Sequence, residues 1–261
     1  MSRQPLPWFP ILMIVVGTLL LLGNLEVIHD LGEFFRDWWP LLLVLLGVWF
    51  LLEERRVPEI ETEERLSLER GEAEHADIHL EFGAGALRLG TAPAGKLLEG
   101  TFRGGVRYEA LPGGRLTLEP DHRQWWRFHE WRGTRWEMGV TTEVPLALRL
   151  DSGAADCELD LTETRLTELE VQTGASQTTV RMPRAAGAVR ARIESGAASV
   201  TVHIPDGVAA RITCEMGLGS KNIDTTRFPE SGGIWESPDY AANPNRIDLR
   251  VEGGVGSIRV T

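Results

Sequence analysis

Cysteine is nearly missing: Cys157 and Cys214 are the only two among 261 residues. Two cannot build a disulfide framework, and no C-x-x-C or Cys/His spacing suits zinc. A basic excess is missing too. The formal net charge is −11, whereas nucleic-acid binding draws on counterion release at a basic surface. A nucleic-acid partner is therefore excluded, and a cation, a basic peptide or a protein fits the charge better. Catalytic signatures are also lacking. His75, His79, His122, His129 and His203 form no H-E-x-x-H or paired metal spacing, and neither G-x-S-x-G nor a phosphate-binding glycine loop occurs. The expectation is a chain that is not an enzyme, with no catalytic residues, no cofactor and no metal.

What is present begins with two apolar runs. Residues 6–25 (LPWFPILMIVVGTLLLLGNL) carry no ionisable side chain, and twenty helical residues cover about 30 Å, the thickness of a hydrocarbon core. The second run, 38–52 (WWPLLLVLLGVWFLL), covers only about 22 Å at helical rise, so the span extends back through Phe35 and Phe34. Trp8, Trp38 and Trp39 stand at the ends of the runs, where indoles favour the headgroup region. The intervening GNLEVIHDLGEFF offers no small-x-small cleavage site. A helical hairpin over 1–53, with spans at about 6–25 and 34–52, is thus favoured over a cleaved signal peptide. Arg3, Arg55 and Arg56 flank the hairpin, while its loop holds Glu26, Asp30, Glu33 and Asp37 against Arg36 alone. The positive-inside bias then makes this a multi-pass protein of the cytoplasmic membrane, with its C-terminal domain in the cytoplasm.

Residues 54–74 are charge-rich, contain EIETEE and lack apolar period, which predicts a linker. From 75 to 261 a repeat emerges when the glycines of FGAG, DSGAAD, QTGASQ, ESGAAS, MGLGS and GGVGS are aligned. These are Gly83, Gly153, Gly174, Gly196, Gly217 and Gly254, of which the middle four are spaced by 21, 22 and 21 residues. Five residues before each glycine stand Ile78, Leu148, Leu169, Ala191, Ile212 and Leu249. Three before stand Leu80, Leu150, Val171, Ile193, Cys214 and Val251, and six after come Leu89, Leu159, Val180, Val202, Ile223 and Val260. Polar residues alternate between them, so each unit is strand, glycine turn, strand.

One such unit cannot bury its apolar face alone, whereas stacked coils about 4.8 Å apart can. The prediction is a mainly β protein, a β-solenoid whose coils stack in chain order behind the helical hairpin. Glycine is expected at the corner for its tolerance of positive φ. Cys157 and Cys214 should be free, buried and three coils apart, about 14 Å. Two stretches break the period. Residues 226–245 read as a surface loop. The Trp-rich stretch near 120–137 interleaves Trp125, Trp126, Trp131 and Trp136 with Arg127, Arg132 and Arg135. Aromatics among arginines suit a partner or membrane-surface patch, and the competing reading is a hairpin that caps the first coil. Two residues before the glycines, Glu81, Asp151, Glu194, Glu215 and Glu252, with Gln172, form an outward column. It could hold a cation or a basic partner, although Arg149, Arg192 and Arg250 in the next column favour self-neutralisation. Asp156, Glu158 and Asp160 lie close together, but Asp160, Arg181, His203 and Asp224 read as a charge ladder on one outward column.

These residues resemble a known bacterial family. The hairpin with WPLLLVLLGV is similar to the LiaI/LiaF-type transmembrane domain, and LALRLDSGAADCELDLTETRLTELEVQTGASQTTVRMP resembles the toast-rack β-solenoid that accompanies it. The resemblance covers nearly the whole chain, and it departs from the LiaF pattern in having one hairpin where LiaF has two. It implies a cell-envelope stress protein that acts by protein binding, in some members by restraining a two-component sensor kinase, and it carries over no catalytic residue. The partners expected are the lipid bilayer, a membrane or signalling protein and a second copy of the chain. An adhesin-like or carbohydrate-binding surface solenoid is the alternative, and a glycan-active β-helix enzyme is the third reading.

Overall fold

The computed structural model describes residues 63–121 and 134–261. The two apolar runs expected to span the membrane and the tryptophans Trp125, Trp126 and Trp131, with Arg127 and Arg132, lie outside the described residues.

Every described element is a strand. In chain order they are β1 (Glu63–Glu69), β2 (Ala76–Thr91), β3 (Lys96–Arg103), β4 (Val106–Leu111), β5 (Arg115–Pro120), β6 (Arg135–Val140), β7 (Pro145–Asp160), β8 (Arg165–Thr173), β9 (Gln177–Arg181), β10 (Ala188–His203), β11 (Ala209–Ile223), β12 (Glu230–Ser231), β13 (Ile234–Glu236) and β14 (Arg246–Val260). The long strands β2, β7, β10, β11 and β14 each bend at a register glycine. β8 and β9 are the two halves of one further coil, interrupted at Gly174. These coils pair in parallel, residue for residue at the repeat spacing: Leu80 with Leu150, Leu150 with Val171, Val171 with Ile193.

The three apolar rows face inward throughout. Ile78, Leu80, Leu150, Val171, Ile193, Ile212 and Val251 are at most 1% exposed, as period-two alternation against one buried face demands. Each such aliphatic side chain contributes roughly 1.5–3 kcal/mol by leaving water, so the rows supply most of the stability. The row six after the glycine is buried as well, from Leu89 through Val260.

Chain order is not stacking order. The sheet runs β2, β7, β8, β10, β14, β11, so the last strand lies between β10 and β11. Val251 pairs with Ile193 on one side and with Cys214 on the other. Cys214 does not adjoin Ile193, as stacking in chain order requires. The cysteines are free and buried, but they occupy different rows: Cys157 is paired with Thr178, and Cys214 with Val251. Their coils are four strand spacings apart, about 19 Å, one step more than in-order stacking gives.

The reason for glycine also differs from the expectation. Positive φ occurs at Gly85, Gly219 and Gly256, but at none of the register glycines. At five of those, all but Gly83, close approach excludes a side chain. A Cβ on Gly153 would lie 2.6 Å from the carbonyl oxygen of Gly83, one on Gly174 2.7 Å from that of Gly153, and one on Gly196 2.9 Å from that of Gly174. The same ladder continues from Gly196 to Gly254 at 2.6 Å and from Gly254 to Gly217 at 2.8 Å.

The first end of the stack is covered along both halves of its coil, and the far end along part of one half. β5 pairs with the first half of β2 and β6 with the second, while β4 covers β5 and β3 then β1 continue from β6. The stretch expected to be a linker therefore contains a strand, β1, whose alternating Leu66 and Leu68 pack on the core. At the far end β13 pairs with Arg211–Thr213 of β11, and Lys221 donates from Nζ to the Cys214 carbonyl at 3.1 Å. The 226–245 stretch is more than a surface loop, since it forms the β12–β13 hairpin and buries Phe228 and Trp235.

Candidate functional site

A concavity of about 1150 Å³ runs along the stack. It exists because the glycine row has no side chains: Gly83, Gly153, Gly196, Gly254 and Gly217 line it. Beside them runs the carboxylate row, in stacking order Glu81, Asp151, Gln172, Glu194, Glu252 and Glu215. The sequence placed these side chains in one column, and the structure brings them together in one groove.

Neighbouring arginines bridge the coils. Arg149 reaches Asp151 at 3.4 Å and Glu170 at 3.2 Å. Arg192 holds Glu194 at 2.5 Å and Glu252 at 3.3 Å, and Arg250 holds Glu252 at 2.7 Å and Glu215 at 3.6 Å. His79 Nε2 lies 2.6 Å from Asp151 Oδ2. Self-neutralisation is therefore substantial but incomplete. Six carboxylates, counting Glu170, face three guanidiniums, and Glu81 makes no ion pair among the described residues. Such half-exposed pairs each contribute roughly 0.2–1 kcal/mol, so their larger effect is to fix a mixed acidic and basic surface in register.

Sequence reasoning missed a second feature of this groove. Thr173 and Ser152, paired across β8 and β7, also line it; Thr173 Oγ1 lacks a hydrogen-bond partner among the described residues, while the Ser152 hydroxyl faces the Cys157 thiol. The available signal was a hydroxyl on the inward phase of an otherwise apolar strand. Close by, the Cys157 thiol is pushed up to about 11, by burial first, with the Ser152 hydroxyl opposing and Asp156 adding to it. Burial also raises Cys214, against the pull of Lys221. Neither thiol is poised as a nucleophile, since the thiolate is the disfavoured form at both.

Asp156, Glu158 and Asp160 do not converge on an open cleft. Glu158 is held by Arg181 at 2.8 Å. Asp160 accepts from the Thr162 hydroxyl at 2.6 Å, the first reason its carboxyl lies below the usual range, with burial opposing and the Thr162 N–H helping. Asp160, Arg181 and His203 do share a row, but Thr261 follows His203 at 2.8 Å, ahead of Asp224. Among the described residues no group of three His, Cys, Asp or Glu could hold a metal ion.

The Trp-rich patch loses one member. Trp136 is 0% exposed, wedged between Phe82 at 5.1 Å and Phe102 at 5.2 Å, so it belongs to the core and not to a surface patch. Its place on β6 opposite Leu87 turns it inward. Arg135, the residue before it, is exposed.

Comparisons with known proteins agree with this architecture. Residues 57–203 match the family model described as the N-terminal domain of toast_rack, DUF2154, and residues 8–51 match a LiaI-LiaF-like transmembrane region. Among solved structures, a candidate cell adhesion protein from Clostridium sporogenes ATCC 15579 is 25% identical with a TM-score of 0.68, over 76% of this chain and 98% of that one. A candidate adhesin from Bacteroides fragilis NCTC 9343 is 10% identical with a TM-score of 0.35, over 77% and 98%. No curated protein matches. The chain belongs to the toast_rack family and carries a LiaI-LiaF-like transmembrane region ahead of its β domain.

Proposed function

We propose that this protein is a membrane-anchored, non-enzymatic regulator or scaffold of the bacterial cell envelope, and that its parallel stack is a solenoid that binds another membrane or signalling protein. The observation that carries this reading is the groove along the stack. It is long, open and lined by repeated charged rows rather than by converging catalytic groups, the form of a surface that recognises an extended partner. The LiaI-LiaF-like region supports anchoring in the membrane, and the charge bias around the hairpin supports a cytoplasmic stack. A sensor kinase is one partner of the right kind. The test is a photo-crosslinker at Gln172, in the groove, in the full chain in its native membrane. A specific membrane or signalling protein should be captured there, and less of it by a crosslinker at the outward Glu168. Equal capture at both positions, or none, would overturn the assignment of the groove.

A second reading rests on the likeness to the C. sporogenes protein: an adhesin-like stack outside the cell. A reporter fused after Thr261 separates the two, being active in the cytoplasm under the first and only outside the cell under the second.

A further inference from the structure

The out-of-turn position of β14 sets two facts against each other. β14 pairs with β10 from Ala188↔Arg246 to Val202↔Val260, and with β11 from Ala209↔Arg246 to Ile223↔Val260. Because both neighbours share one register with β14, β10 and β11 are themselves in register at the repeat offset, Ile193 level with Cys214 and Gly196 with Gly217. The connector between them is short. Residues 204–208 join β10 to β11, residues 161–164 join β7 to β8, and residues 182–187 join β9 to β10. The last two step over one strand spacing. The first, of five residues against their four and six, steps over two.

We infer that the chain has a competing closure in which β11 pairs directly with β10, and that β14 completes the fold by displacing it. Loop closure favours the direct pairing early, since five residues separate β10 from β11 whereas the β14 strand must return across residues 224–245. Electrostatics and burial favour β14 later. In direct pairing Glu215 shares with Glu194 the single Arg192 guanidinium that now reaches Glu252 at 3.3 Å, because Arg211 on its own coil is held by Glu236. Like charges side by side are unfavourable. β14 brings Arg250, which holds Glu215 at 3.6 Å and Glu252 at 2.7 Å. It also buries Ile247, Leu249, Val251, Ile258 and Val260, each at most 1% exposed. The final strand is thus displaceable: removing it from its slot leaves a shorter closed stack and frees a strand with two unpaired edges.

Native Cys214 provides the test. In the completed stack an I193C thiol stands two strand spacings from Cys214, about 10 Å, beyond the Cα separation of roughly 4.4–6.8 Å that a disulfide spans. In the direct pairing the two are neighbours. Full-length I193C chain is refolded by dilution from denaturant into detergent, oxidised at successive times and mapped without reduction. The disulfide to Cys214 is expected in samples oxidised early and at background in those oxidised after refolding ends. A second full-length variant, I193C with V251D, places a carboxylate at a position that is 0% exposed. It should hold the crosslinked form while Cys157 stays unreactive towards a thiol reagent, which reports that the remaining coils are intact. No disulfide at any time during refolding overturns the proposal, as does a V251D chain with protected Cys157 and no crosslink. Should V251D expose Cys157, the refolding series decides alone.

Discussion

At the scale of single residues the fold is set by what each row has no room for. Gly196 sits with its missing Cβ 2.9 Å from the Gly174 carbonyl oxygen, whereas Gly90 has nothing within 4 Å. Gly196→Ala should therefore cost about 1–3 kcal/mol in denaturant unfolding, and Gly90→Ala less than about 0.5 kcal/mol. Equal effects would remove the close-approach argument. Trp136 fills the space between Phe82 and Phe102, and Trp136→Ala should cost about 3–5 kcal/mol by the same measurement. Cys157 gives a pH signature. Its folded pKa is raised to about 11 from 9.0, so the unfolded chain loses the proton first. Stability from this group is complete below pH 9 and is lost as pH rises towards 11, by roughly 2–3 kcal/mol. Cys157→Ala should flatten that part of the pH profile.

At the scale of elements, pairing carries the information that no single strand holds. Arg250 on β14 bridges the glutamates of two coils, Glu252 on its own and Glu215 on β11. These contacts are half exposed, so Arg250→Gln should cost no more than about 1 kcal/mol at low salt and almost nothing at high salt. A loss independent of salt would assign Arg250 a packing role instead. The three apolar rows were legible in the sequence because a buried face forces period two. The carboxylate row was legible for the same reason. Trp136 was not: its neighbours Arg132 and Arg135 read as a surface patch, and only pairing of β6 with β2 and β3 turns the indole inward. β1 was hidden likewise, since its exposed glutamates mask an alternation of two leucines.

At the scale of the whole molecule, the family assignment and the groove together describe a grooved β surface in a membrane-associated chain. Under the proposed topology, reporter fusions after Thr261 should be active in the cytoplasm and silent outside, and the opposite pattern would move the groove and its partner to the other side of the membrane. The sequence alone determined which residues face inward and that like rows align, because a repeat of about twenty-one residues with one buried face admits one local solution. It could not determine the order of the coils. Any two coils with this pattern are complementary, so local propensity ranks β10 against β11 and β10 against β14 alike. The choice falls to contacts distant in the chain: the Arg250 bridge, the burial of five side chains of β14, and a connector of ordinary length stretched over one more strand.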